Sequence, residues 1–260
     1  MTAPRPTRQA WLGLISPVLL LVAWETASAS GLLREAFFPR PSRLAGSTVR
    51  LLLDGTLAHH ASVTLARVGW TFLLAAAPGI AVGLAMGVSR RFRDGVDPLF
   101  AVVYPIPSVL FLPLISFVVV SPEPALVLTA AITSFFLVAY TTQTGVQQLD
   151  SAVVEAATHY GARGWRFFSR VVLPGTLPFV FTGLRLGLGF ALIVVIAIEM
   201  ASAQQGLGAM LWLSWEILKV EEMYVALVVI AVLGGLLTWG LAVVRARLLP
   251  WVEDVADRGC

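Results

Sequence analysis

Three histidines and one cysteine bound the chemistry this chain can do by itself. His59 and His60 are adjacent, the wrong spacing for ligating a metal from one face of a helix, and His159 is alone. No H-E-x-x-H, G-x-S-x-G or G-x-x-x-x-G-K-[ST] string occurs. Lys219 is the only lysine and stands far from any glycine-rich turn, so no phosphate loop can be assembled. Cys260 is the last residue and has no partner for an intrachain disulfide. No catalytic set and no metal site is read, and the chain is not expected to be an enzyme.

What remains are residues out of place in an apolar background. Glu25, Arg67, Arg185 and Glu199 fall inside apolar stretches, where charge is costly and marks a functional position by default. Glu25, Arg67 and Glu199 lie near the ends of their stretches, where long side chains snorkel to the headgroups at little cost. Arg67 and Glu199 share a depth and are placed to pair across a bundle. Arg185 lies about two turns inside the opposite boundary, placed either to close a pathway or to reach the headgroups. Tyr104-Pro105-Ile106-Pro107, followed by Ser108 and Pro113, removes backbone donors in mid-stretch. Broken backbone at membrane depth is tolerated where protein or a watery cavity satisfies it. These residues, with Ser134 and Tyr140 of the next stretch, are therefore candidates for lining a path, the alternative being a packing kink.

One polar loop stands out. In about 147–176, Asp150-Ser151 can cap a short helix bearing Glu155, Ala156 and Ala157. Gly161 ends it, 163–171 form a second short helix, and Leu173-Pro174 turns the chain into the next apolar stretch. A helix–turn–helix with small residues and one acid exposed is a docking knob.

The elements that must position these residues follow from composition. The 260 residues are 58% apolar and only 13% charged, with a mean hydropathy of +0.85. A soluble chain is about 25% charged, so disorder, nucleic-acid reading and most cytosolic enzymology are excluded. A bilayer core about 30 Å thick takes roughly 20 apolar residues per helix. Six stretches qualify: about 11–29, 62–88, 98–120, 125–146, 177–201 and 224–249. The expected architecture is an all-α membrane protein, a single six-helix transmembrane bundle over 1–260, with no soluble domain. The first stretch follows two arginines as a signal peptide would, but it lacks a convincing small-x-small cleavage site and is read as a helix that stays attached. With the N-terminus inside, the inner segments hold Arg5, Arg8, Arg90, Arg91, Arg93, Arg163, Arg166, Arg170, Arg245, Arg247 and Arg258, against Arg34, Arg40, Arg43, Arg50 and Lys219 outside. The excess places both termini in the cytoplasm. The segment 89–97 reads as a basic hinge. Residues 40–61 and the tryptophan-rich 212–222 read as short amphipathic helices that pack on the membrane face. Gly79, Gly83 and Gly87, and Gly183, Gly187 and Ala191, form one-face rows for close helix approach.

The loop Glu155-Ala-Ala-Thr-His-Tyr-Gly161, nine residues, then Val171-Val-Leu-Pro174 resembles the EAA loop of permease subunits of bacterial ATP-binding-cassette importers, with Val171 for the usual Ile. Ser62-Val-Thr-Leu-Ala-Arg67-Val-Gly-Trp, Gly83-Leu-Ala-Met-Gly87, Tyr104-Pro-Ile-Pro107, Thr182-Gly-Leu-Arg185-Leu-Gly-Leu-Gly189 and Gly206-Leu-Gly208 are similar to the nitrate/sulfonate/taurine-type branch. Where that branch has Trp-Phe-Gly, then Gly and Lys, this chain has Phe117-Val-Val-Val-Ser-Pro-Glu-Pro124, which leaves the substrate open. The resemblance implies a type I importer fold in the bacterial inner membrane and a homodimer with one pathway at its interface. It further implies two cytoplasmic ATP-binding subunits carrying the ATP and Mg, and an extracytoplasmic solute-binding protein. It assigns Glu155, Ala156, Ala157 and Gly161 to the helix that seats in the ATPase, with Leu173 and Pro174 fixing its geometry. The implied substrate is a small sulfonate-, nitrate- or taurine-like anion, a small heterocycle or vitamin precursor being the alternative. A stand-alone secondary transporter or channel is the rival from another class. It calls for inverted repeats and paired intramembrane ions, and no clear repeat is visible.

Overall fold

The computed structural model describes residues 8–251, with side chains from residue 15 onward. Arg5, Arg258 and Cys260 lie outside the described residues. Every described element is helical: α1 Arg8–Ala29, α2 Pro41–Leu53, α3 Thr56–Val88, α4 Arg90–Val103, α5 Leu112–Val118, α6 Pro122–Gln147, α7 Ser151–His159, α8 Gly164–Phe167, α9 Leu173–Ser202, α10 Leu207–Glu216 and α11 Val220–Leu248. Five of the six apolar stretches each fall on one helix, and the third, 98–120, is split between two. Helices α3, α6, α11 and the run Gly164–Ser202 are long and apolar enough to cross a membrane, the bent pair Arg90–Val103 and Ser108–Val118 would make a fifth span, and α1 adds the shorter apolar stretch Ile15–Ala29.

Helix α6 is the centre, packed between α3 and α9. The glycine rows explain how. A Cβ on Gly79 would lie 2.9 Å from the Val138 Cβ, one on Gly83 2.7 Å from the Thr142 Cβ, and one on Gly187 2.9 Å from Val138 Cγ2. Both rows face α6, and Val138, fully buried, is held between them. In lipid, where apolar burial drives little association, such backbone approach and interhelical hydrogen bonds hold helices together.

Four expectations are corrected. Residues 98–120 do not form one kinked span: the chain breaks after Val103, passes through a 3₁₀ turn at Ser108–Phe111 and turns by 90° into α5. Tyr104 keeps helical backbone angles and bonds its N–H to the Phe100 carbonyl at 2.9 Å, but Pro105 and Pro107 have no N–H to continue the ladder, so the interruption is a corner. The basic 89–97 is no hinge, because Ser89 caps Phe92 N–H at 3.3 Å and the helix starts at Arg90. The amphipathic segment after residue 40 ends at Leu53, where Gly55 adopts φ +80°, and His59 and His60 belong to α3. Finally, Leu173-Pro174 is not a turn. The helix runs from Gly164 to Ser202 through a π turn at Phe168–Val172, in which Leu173 N–H bonds to the Phe168 carbonyl five residues back. The widened turn lets proline, which has no N–H, enter without breaking the helix.

Of the two short amphipathic elements, the first packs as expected, whereas 212–222 is not one helix: α10 ends at Glu216 and α11 begins at Val220, with Leu218 at φ +58° between them. Leu44 and Leu51 of α2 meet Leu57 of α3, Leu207 and Met210 of α10, and Val225 and Ala226 of α11 in one buried cluster.

Candidate functional site

The loop between α6 and α9 is built by local rules. The Asp150 carboxylate accepts from Ala152 N–H at 2.8 Å and starts α7. At the other end Gly161 N–H bonds to the Thr158 carbonyl at 3.0 Å and Ala162 N–H to that of Ala157 at 2.9 Å. That paired closure requires a left-handed residue, and Gly161 supplies it at φ +80°. Glu155 and Ala156 are exposed, and Ala157 is partly covered. Leu173 and Pro174 lie at the mouth of the long helix, where Leu149 closes over Gly175. Two exposed aromatics flank the turn and were not singled out from sequence: Tyr160 is 93% exposed, and Trp165, 75% exposed, stacks on Phe168 at 5.3 Å. Their signal was present, as large aromatics in an otherwise polar loop. Both rings stay largely exposed, Trp165 even with its stack on Phe168.

The path candidates separate. Tyr104, Pro105, Pro107 and Ser108 line one groove at the broken corner, facing Phe190 and Ile193 of α9. Ser108 itself is buried and accepts from Thr133 Oγ1 at 2.8 Å. Tyr140 adjoins this corner through Tyr104, ring centroids 5.8 Å apart, in a cluster with Phe100 and Phe136. Ser134 points instead between helices and donates to the Gly187 carbonyl at 2.9 Å. Arg185 is exposed on α9, away from that groove.

Two of the apolar-stretch charges, Arg67 and Glu199, do not snorkel. Arg67 and Glu199 pair at 2.8 Å, with side chains only 5% and 0% exposed. Glu199 also accepts from the Thr64 hydroxyl at 2.9 Å and from Gly208 N–H at 2.9 Å. Arg67 Nη1 donates to the Gln205 carbonyl at 2.6 Å. Its Nε and Nη2 grip Glu123 in a two-point fork at 2.8 and 2.6 Å. The network ties α3, the first turn of α6, α9 and the α9–α10 link. Gly206-Leu-Gly208 owes its glycines to this contact, because a Cβ on Gly206 would strike the Glu199 carboxylate and φ there is +111°. Glu123 was missed in the sequence reading: flanked by Pro122 and Pro124 outside the predicted spans, it resembles a turn residue. Glu25 likewise finds a partner, accepting from Ser42 N–H at 3.0 Å and Ser42 Oγ at 2.9 Å at the start of α2.

Residues 79–254 match the profile of the family described as "Binding-protein-dependent transport system inner membrane component". The chain is 31% identical over 254 residues to the taurine transport system permease protein TauC of Escherichia coli (strain K12), covering 96% of this chain and 92% of that one. It is 26% identical over 249 residues to the putative aliphatic sulfonates transport permease protein SsuC of Bacillus subtilis (strain 168), covering 95% and 90%. It is 27% identical over 245 residues to the nitrate import permease protein NrtB of Synechocystis sp. (strain ATCC 27184 / PCC 6803 / Kazusa), covering 91% and 88%. Among solved structures, a chain of the MetNI methionine ABC transporter in inward-facing conformations shares the fold. The TM-score is 0.59 at 18% identity, over 74% of this chain and 94% of that one.

Proposed function

The chain belongs to the family of binding-protein-dependent transport system inner membrane components, and on that premise we propose that it imports a small anion by alternating access, driven by ATP hydrolysed on a partner. Two copies enclose one pathway, two ATP-binding subunits dock beneath, and an extracytoplasmic binding protein delivers the solute from above. Both termini face the cytoplasm, on the arginine asymmetry. The relatives named for taurine, sulfonates and nitrate favour a sulfonate-, nitrate- or taurine-like cargo. This permease is no enzyme itself; ATP and Mg belong to the partner.

The observation that carries the reading is the exposed, glycine-closed knob at 150–162. Its helix is held at both ends by local hydrogen bonds and is joined through α8 and the π turn to the rigid α9. A displacement imposed on Glu155, Ala156 and Ala157 is therefore delivered to a helix that packs on α6 at the bundle centre. ATP shifts the population of bundle states only by as much as its differential affinity for the closed ATPase pair allows, and the knob conveys that difference. The corner lined by Tyr104, Pro105 and Pro107 is the part of the chain shaped to face the pathway.

The test is Gly161→Asp in the assembled particle. A side chain at φ +80° opens the turn that ends α7. The variant is expected to insert and fold, to keep the ATPase subunits' hydrolysis, and to lose solute uptake. Uptake at the parental rate refutes the docking role. Co-purification of an ATP-hydrolysing subunit separates an importer from a stand-alone carrier, which would copurify with none.

A further inference from the structure

The Arg67 network is asymmetric in a way that assigns its parts different work. Its inner half is fixed: Glu199 is fully buried, and Thr64, Gly208 and Arg67 all donate to it while the Gly206 backbone closes over it. Its outer half is not. The Nε/Nη2 edge of a guanidinium only 5% exposed is met by Glu123, whose side chain is 62% exposed. Among the described residues, Arg67 alone bonds to that carboxylate. An exposed carboxylate gains little from such a pair, whereas the buried guanidinium edge needs a planar two-oxygen partner whichever group supplies it.

The fork also has room beside it. A cavity adjoining Arg67 and Glu123 is lined by Leu112 and Ser116 of α5, by Ser202 at the end of α9 and by Gln204 beyond it, all neutral. The network already holds two carboxylates against one guanidinium, so a further anion cannot simply add. It can only exchange, one charge for one, with the carboxylate that reaches solvent.

We propose that the Nε/Nη2 edge of Arg67 is a binding subsite for a small oxyanion bearing two coplanar or near-coplanar oxygens, such as a sulfonate or nitrate, and that Glu123 is its resident placeholder. The anion takes the fork as Glu123 swings out, while Glu199 holds the guanidinium in place. The site lies on the extracytoplasmic side in the orientation proposed above and deepens the anion-importer reading on which it rests. It also gives the departure Ser121-Pro-Glu-Pro124 a role, since this segment sets Glu123 in the first turn of α6, opposite the fork.

The experiment titrates methanesulfonate, and separately sodium nitrate, into the full permease–ATPase particle in nanodiscs without ATP, at constant chloride, and reads binding calorimetrically. Glu123→Gln removes the competing charge and is expected to tighten binding about two- to fivefold, the worth of an exposed ion pair. Adding Arg67→Lys, which keeps the charge but loses the fork, is expected to cancel that gain. Glu123→Gln binding no tighter than the parent, or tightening that survives Arg67→Lys, overturns the subsite. ATP-dependent uptake is measured on the same preparations: uptake that persists while binding ignores Glu123 refutes the subsite and leaves the importer reading standing. Uptake absent from the parent particle counts against the importer reading itself.

Discussion

Replacing Arg67 by Met tests whether the buried ion network holds the outer end of the bundle together. The substitution keeps length and apolar stem but strands the Glu199 carboxylate, which is 0% exposed and would retain only the Thr64 hydroxyl and the Gly208 amide. Removing one partner of a buried pair costs about 3–5 kcal/mol. The Glu123 arm, with its carboxylate 62% exposed, adds less than about 1 kcal/mol. At roughly 2–4 °C per kcal/mol for a chain of this size, Arg67→Met should lower the unfolding midpoint by about 10 °C. Thermal unfolding in one detergent, followed by intrinsic fluorescence, would compare it with Glu123→Gln, Glu199→Gln and the double variant Arg67→Met/Glu199→Gln. Glu123→Gln should shift the midpoint by no more than about 3 °C. The double variant should recover most of the loss, because a neutral amide at 199 keeps its neutral partners and leaves no buried charge. The coupling should then be about 3 kcal/mol. Equal losses for Arg67→Met and Glu123→Gln, or a double variant equal to the sum of the singles, would refute the reasoning.

Two further outcomes follow from helix and turn geometry. Gly83→Ala places a Cβ against the Ala139 carbonyl and 2.7 Å from the Thr142 Cβ, so α3 and α6 must separate. A loss of about 1–3 kcal/mol is expected, read as a lowered unfolding midpoint, while Gly235→Ala, with nothing within 4 Å, serves as the unaffected control. Gly206→Ala meets both the Glu199 carboxylate and a backbone at φ +111°; it should lower the unfolding midpoint by itself, and in a Glu199→Ala background, already destabilised by loss of the buried partner of Arg67, it should lower it by less, because the obstacle is gone and only the strain remains.

Much of the scaffold could be read from residue spacing, because the constraints are local or periodic. Small residues at every fourth position can serve little besides close approach, and Gly79, Gly83, Gly183 and Gly187 meet α6 accordingly. Asp150 and Gly161 announce the two ends of α7 by chemistry that acts within a turn. Prolines were less informative than they looked. Pro105 and Pro107 signalled a break but not its 90° corner, which depends on what α5 packs against. Leu173-Pro174 reads as a turn into the next stretch, yet a π turn five residues long carries the helix through it. The ion network was half legible. Arg67 and Glu199 share a depth, but pairing needed the fold, and Glu123 lies outside any apolar run and is brought to Arg67 only by the turn before α6. A hydroxyl in an apolar stretch looks like a lining group, and the bond of Ser134 to the Gly187 carbonyl is invisible in one dimension.

The central claim is that the knob at α7 receives a cytoplasmic ATP-hydrolysing partner. In a Cys260→Ser background, a cysteine at Ala156 of the assembled particle provides the direct test. The account predicts a cross-link between that cysteine and the ATP-hydrolysing subunit, with no labelling of it in intact cells by a membrane-impermeant maleimide. Labelling from outside, with no cross-link in the purified particle, would contradict it.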